Sequence, residues 1–151
     1  MPNWFNDLIG LTMSETIQIS SISLETAQKM ASAALAFASS KNFKMNIVVC
    51  DHAGHPLVTL RMPGAPLPAY DFAQRKAATA AYYGIPTADW KEKLESRPIV
   101  MTGLANHDNV AMFGGGQPII LNGQVVGGIG VAGGNVVQDD ECALAGFSAL
   151  S

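Results

Sequence analysis

The residues able to do chemistry are few. Two imidazoles share the stretch Asp51-His-Ala-Gly-His55, a third is His107, and the cations Arg61 and Lys76 flank a proline-rich segment. An acidic run, Asp139-Asp-Glu141, lies near the C-terminal end. A neutral imidazole can ligate a first-row metal, but His52 and His55 occupy a tight turn, where the side chain is ordinarily solvated. An arginine fork or a lysine ammonium can hold the carboxylate of a ligand. The competing reading of Lys76 lays its stem on a sheet and pairs it with Asp51 or Asp71. Consecutive acids point in different directions on a helix, so residues 139–141 suit a helix start better than paired acid–base work or metal ligation. Met62 and Met112 read as core filling. Cys50 and Cys142 are far apart and in no metal or redox spacing, so they read as reduced, buried thiols. No Ser-His-Asp or Cys-His signature is present, and no metal site is expected.

The stretch from residue 114 to residue 134, GGGQPIILNGQVVGGIGVAGG, organises the rest. Apolar runs at 118–121 and 124–131 flank Asn122-Gly123, a pair suited to a type I′ hairpin turn. Glycine weakens a strand, so glycines here imply a close approach of something else to the sheet: a helix, another subunit, or a ligand resting on bare backbone around Gly115. The letters Gly128-Ile-Gly-Val-Ala-Gly133 match a dinucleotide fingerprint, but they sit in a hairpin strand and the chain ends before the required acidic position. Residues 114–116 lack the lysine and hydroxyl of a P-loop.

The elements that position these residues follow from periodicity. Residues 17–22 form either an edge strand or an extended arm. Ser23 caps a helix whose apolar face includes Leu24, Ala27, Met30, Ala31, Ala34, Leu35 and Ala38. Strands at 45–51 and 56–62 make a hairpin. Residues 63–68, with three prolines, form a stiff loop. A helix spans 71–83, with Gly84 as its C′ stop. Thr87 caps a short helix reaching about 95, residues 98–109 are irregular with room for one turn of helix, and the last helix covers 142–150. Hairpins separated by helices predict an α+β domain with an antiparallel sheet of about five strands.

The chain has 151 residues, enough for one domain with a proper core. Only 14% of its residues are charged, against about 25% in a typical globular protein, so part of the surface is expected to meet other copies of the chain. A net charge of −3 argues against nucleic acid as a partner, and no apolar run is long enough to cross a membrane. Residues 1–12 read as an N-terminal extension preceding a natural start at Met13, leaving 13–151 as the domain. A cytoplasmic location is expected.

Taken together, several spaced residues resemble one family. They are Asp51-x-x-Gly54, Arg61-Met-x-Gly64-Ala65, Ala73-x-x-Lys76-Ala77-x-Thr79-Ala80, Gly114-Gly-Gly-x-Pro118, Gly127-x-x-Gly130-Val131-x-Gly133 and Gln138-Asp139. This set resembles the GlcG/HbpS-like family, which includes the C-terminal domain of PduO-type proteins. The resemblance implies a profilin-like or PAS-like sheet, assembly into homo-oligomers up to octamers, and haem or another tetrapyrrole as ligand. Its alternative implication is an accessory protein or enzyme of diol, glycerol or glycolate metabolism, acting on a small hydroxy compound or a corrinoid. Pro63, Ala69 and Ala132 depart from the family pattern, removing a carboxylate and two hydroxyls.

On that resemblance a tetrapyrrole would lie between residues 63–68, the 71–83 helix and the glycine hairpin. Phe72 or Phe113 and the backbone of Gly115 would form its flat slot, and Arg61 and Lys76 would hold its acids. His55, His52 or His107 would be the axial ligand, and of the three His55 fits the family pattern where His52 does not.

Overall fold

The computed structural model describes Trp4 and residues 15–150, so the expected extension at 1–12 lies, Trp4 aside, outside the described residues. Four antiparallel strands form one sheet in the order β2-β1-β4-β3. They are β1 (Asn46–Asp51), β2 (Pro56–Arg61), β3 (Gly116–Leu121) and β4 (Gln124–Ala132). The expected fifth strand is absent among the described residues. Residues 17–22 instead run as an arm, tied to β4 where Ile22 N donates to Val126 O at 2.9 Å. The Asn122-Gly123 turn has φ of 52° and 74°, as its type requires.

The helices cover both faces. On one face, α1 (Leu24–Ser40) packs over Ile47, Val49, Ile129 and Val131. Ser23 caps it, accepting from Thr26 N at 3.2 Å. On the other face, α2 (Leu67–Tyr83) lies over Val48 and Cys50 through Ala73, Ala77 and Ala81. This helix starts four residues earlier than the sequence predicts. Pro68 falls in its first turn, where no N–H is needed by the helix, so the proline begins the helix rather than excluding it.

Three further segments differ from expectation. Thr87 sits inside a 3₁₀ turn, Thr87–Asp89, ahead of α3 (Trp90–Leu94), and does not cap it. Its hydroxyl instead accepts from Gly116 N at 2.8 Å. Residues Pro98–Ala105 form a regular helix, α4. The last α-helix, α5, spans Val136–Ala145 and is followed by a 3₁₀ turn. Its cap is Asn135, in a reciprocal capping box with Gln138, so the acids at 139–141 lie within the helix and are free for other partners.

The glycines of β3 and β4 explain the closeness of α2. A Cβ on Gly130 would collide with Ala73 O, and one on Gly128 with Ala77 O. At Gly116 it would come within 2.5 Å of Lys76 O. The bare backbone is therefore covered by a helix of the same chain, not by a flat ligand or a neighbouring subunit. Gly130→Ala should cost about 3 kcal/mol or more in urea unfolding, because backbone must move to admit the methyl group. Gly103→Ala is the contrasting case: nothing lies within 4 Å of its added Cβ, and stability should rise by about 0.5–1 kcal/mol.

Candidate ligand site around Phe113

Lys76 stands on the buried face of α2, between Ala73 and Ala77, and is 1% exposed. Its ammonium donates to Asp139 Oδ2 at 2.8 Å and to Val131 O at 3.0 Å. The expected partners Asp51 and Asp71 are elsewhere: Asp51 accepts from the amides of its own turn, and Asp71 pairs with Arg75 at 2.9 Å. Burial lowers the Lys76 pKa from its ordinary value, and the hydrogen bond and charge of Asp139, with the charge of Asp140, pull it partly back. Asp139 Oδ1 also accepts from Gly134 N at 2.9 Å. One ion pair thus joins α2, the end of β4 and α5. It is committed to the chain and does not reach out to a ligand's acid.

Next to this pair, Asp140 Oδ1 accepts from Gly115 N at 2.9 Å and Gln117 Nε2 at 3.1 Å. Thr79 Oγ1 accepts from Ala111 N at 2.9 Å. These bonds fix the chain on both sides of Met112 and Phe113. The Phe113 ring lies 4.7 Å from the Lys76 ammonium and 5.4 Å from the Phe72 ring, which it meets edge to face.

Phe113 divides two cavities. The smaller, about 300 Å³, has Pro66, Phe72, Phe113, Ala132 and Gly133 around a floor of Lys76 and Asp139. This is the place the resemblance pointed to. The larger, about 460 Å³, opens between α3 and α5 and is lined by Met112, Phe113, Val136, Val137 and Leu144, with Lys91, Asp140 and Glu141 among its polar members.

Of the sequence candidates, the structure brings Phe72, Lys76 and Gly115 together. Space for a Cβ at Gly115 is taken by Lys76 Nζ and Asp139. The others lie apart. Arg61 lines a separate cavity with Leu35 and Lys44. His52 and His55 are in the β1–β2 turn, at the sheet end where Tyr82 packs on Gly54, while Ala132 of the small cavity pairs with Asn46 at the opposite end of β1. His55 is exposed, and His107 sits in the loop after α4, accepting from Asn109 N. No histidine lines either cavity around Phe113. Neither does a cysteine; burial pushes the Cys50 thiol up to about 12 and that of Cys142 up to about 11. Asp139, Asp140 and Met112 were not among the expected site residues. The signal for the acids was Asn135-x-x-Gln138, which moves the helix start upstream of them.

With fold and site in view, the class is defined: a small antiparallel sheet between helices, with an apolar cleft at its edge. A family model described as haem degrading protein HbpS-like matches residues 22–148, and the chain belongs to that family. It is 37% identical over 142 residues to an uncharacterized 15.0 kDa protein of Citrobacter freundii from a dhaT-dhaS intergenic region, covering 91% of this chain and 100% of that one. The crystal structure of HbpS superposes with a TM-score of 0.84 at 34% identity, covering 91% of this chain and 96% of that one. A solved PduOC:haem complex superposes with a TM-score of 0.79 at 27% identity, covering 85% and 94%.

The Lys76–Asp139 pair sets a testable energy. Asp139→Asn leaves the ammonium buried without its counter-ion and should cost about 3–5 kcal/mol, whereas Lys76→Met with Asp139→Leu should cost less than the two single changes summed. The deficit of Asp139→Asn should shrink as pH rises toward 10.5, the ordinary lysine value. In that window the unfolded chain binds a proton that the folded chain has released, so stability increases with pH. Urea midpoints measured across that range check the sign.

Proposed function

We propose that this chain binds haem or a related tetrapyrrole in the cleft between α3 and α5, with Phe113 as its aromatic wall. One observation carries the reading: a cavity of about 460 Å³ whose lining is mostly apolar. Small-molecule sites commonly span about 300–1,000 Å³ with such walls. Family membership and the similarity to PduOC, which has been solved with haem, support it.

The residues present fit a tetrapyrrole. Val136, Val137 and Leu144 offer the apolar contacts a macrocycle needs, and Met112 supplies a soft sulfur donor in the same cleft. Lys91 places an ammonium at the cleft for a ligand carboxylate. Bound haem would supply a redox-active iron; the chain's own residues hold the ring, orient it and keep water from one face. A small hydroxy compound would need directed hydrogen bonds instead. Of the polar groups around Phe113, Lys76, Asp139 and Asp140 already direct theirs at the chain itself, which leaves Lys91 and Glu141 in a mostly apolar lining.

Self-association belongs to the same reading. Val137 and Leu144 are 63% and 54% exposed beside the cleft, so a second copy seated there would close its open side. Native mass spectrometry should find a homo-oligomer.

A haem titration followed at the Soret band tests the site. Val137→Asp should weaken binding about tenfold or more, because a carboxylate then faces the ring. Met112→Ala should shift the Soret maximum. The combined His52→Ala, His55→Ala and His107→Ala variant should bind as the parent does. Full affinity in Val137→Asp, with loss in the histidine variant, would move the ligand to the other end of the sheet.

A further inference from the structure

We propose a second ligand site, for an organic monocarboxylate with an apolar tail, in the cavity between the C-terminal half of α1 and β2. The inference does not rest on the tetrapyrrole reading, since the cavity lies against α1 and shares no lining residue with the clefts at Phe113. Its volume is about 480 Å³. Leu35, Leu60 and Met62 give it an apolar floor, and Lys44 and Arg61 both line it.

The two cations are brought together by the sheet. Arg61 pairs with Asn46 in register, and Met62 N donates to Met45 O at 3.0 Å, which continues the pairing toward Lys44. The Lys44 stem runs beside Gly64, with Cγ and Cδ 3.8 Å from where a Cβ would stand there. Among the described residues neither Lys44 nor Arg61 has an acidic partner within 4.0 Å, and no acidic residue lines the cavity. Two cations on the lining of one cavity, with no acid among them, favour an anion there over a cation or a neutral group. Ser39 and Thr59 line the same space, and among the described residues their hydroxyls carry no hydrogen bond. Arginine's fork matches a carboxylate, and the apolar floor matches a hydrocarbon tail. Head and tail together select an amphiphilic acid over a small inorganic anion or a neutral alcohol.

Octanoate is the probe, followed by amide shifts in ¹H–¹⁵N spectra of the whole chain. Saturable shifts should centre on Leu35, Thr59 and Arg61. Octan-1-ol, with the same tail and no charge, should leave those residues unmoved. Arg61→Gln and Lys44→Gln, both at exposed positions, should each weaken binding about tenfold, the loss expected for a charge-assisted hydrogen bond. Val137→Asp, which disables the Phe113 cleft, should leave octanoate affinity unchanged. The proposal fails if octanoate gives no saturable shift, if octan-1-ol binds as well, if the variant carrying both Arg61→Gln and Lys44→Gln keeps the parent's affinity, or if the shifts gather around Phe113. Haem binding unaltered in Arg61→Gln and Lys44→Gln separates this outcome from that of the tetrapyrrole site.

Discussion

Backbone rests on backbone where α2 crosses β4, and most of the molecule is arranged around that contact. Gly128 and Gly130 carry no Cβ, and the helix answers with Ala73 and Ala77, so the carbonyls of the helix occupy the space that side chains of the strand would fill. Such a contact has no cushion of flexible side chains and little capacity to relax. It fixes the distance of α2 from the sheet, and it fixes the rotation too, because only one face of the helix is small enough. The opposite sheet face is conventional by comparison. There Ile47, Val49, Ile129 and Val131 meet Met30 and the alanines of α1.

The rotation of α2 determines where Lys76 goes. A helix turned so that Ala73 and Ala77 face β4 also turns the residue between them inward, past the end of that strand. An ammonium at that depth is tolerable only beside a counter-charge, and Asp139 on α5 provides it at 2.8 Å. The pair in turn orders Gly134, the residue before the Asn135 cap of α5, and the neighbouring acid Asp140. Asp140 then holds Gly115, which leaves Phe113 no freedom to leave its place between the two cavities. A steric fact about two glycines thus propagates, through one ion pair, to the position of an aromatic wall.

The order of the main helices and hairpins was legible because each is announced by local chemistry: Ser23 as a cap, Asn122-Gly123 as a turn, Gly84 as a stop. The early start of α2 was hidden because proline reads as a breaker, although its missing N–H is harmless in a first turn. The site was legible in part. Lys76 stood out as a cation, read either as a holder of ligand acids or as a buried stem paired with an acid of the chain, and the second reading is the one the structure has. Which acid was not readable, since Asp139 is 63 residues away and its helix start was misplaced by a missed capping box. The histidines drew attention by type, yet imidazoles in a hairpin turn follow the turn, and this turn points away from every apolar wall around Phe113. Arg61 was right as an unpaired cation and wrong in its company, because it stands on the edge strand β2 and lines a cavity with Lys44, away from both clefts at Phe113.

Sealing the sheet with α2 also decides what kind of ligand the fold can hold. With the glycines covered by α2, the bare backbone of β4 offers no flat floor, and the cavities described above lie at the margins of the sheet. At the Phe113 margin Lys76, Asp139 and Asp140 are turned inward, to amides and to each other, so the lining of the larger cleft is mostly hydrocarbon, one aromatic ring and one thioether, with Lys91 and Glu141 as its further charged members. At the β2 margin the reverse holds: the floor is still apolar, but both cations are free of acidic partners among the described residues. On the two proposals above, shape and apolar area would dominate recognition in the first cleft, and charge would contribute more in the second. The two margins share no lining residue, and the sheet separates them, so a change at one leaves the lining of the other intact.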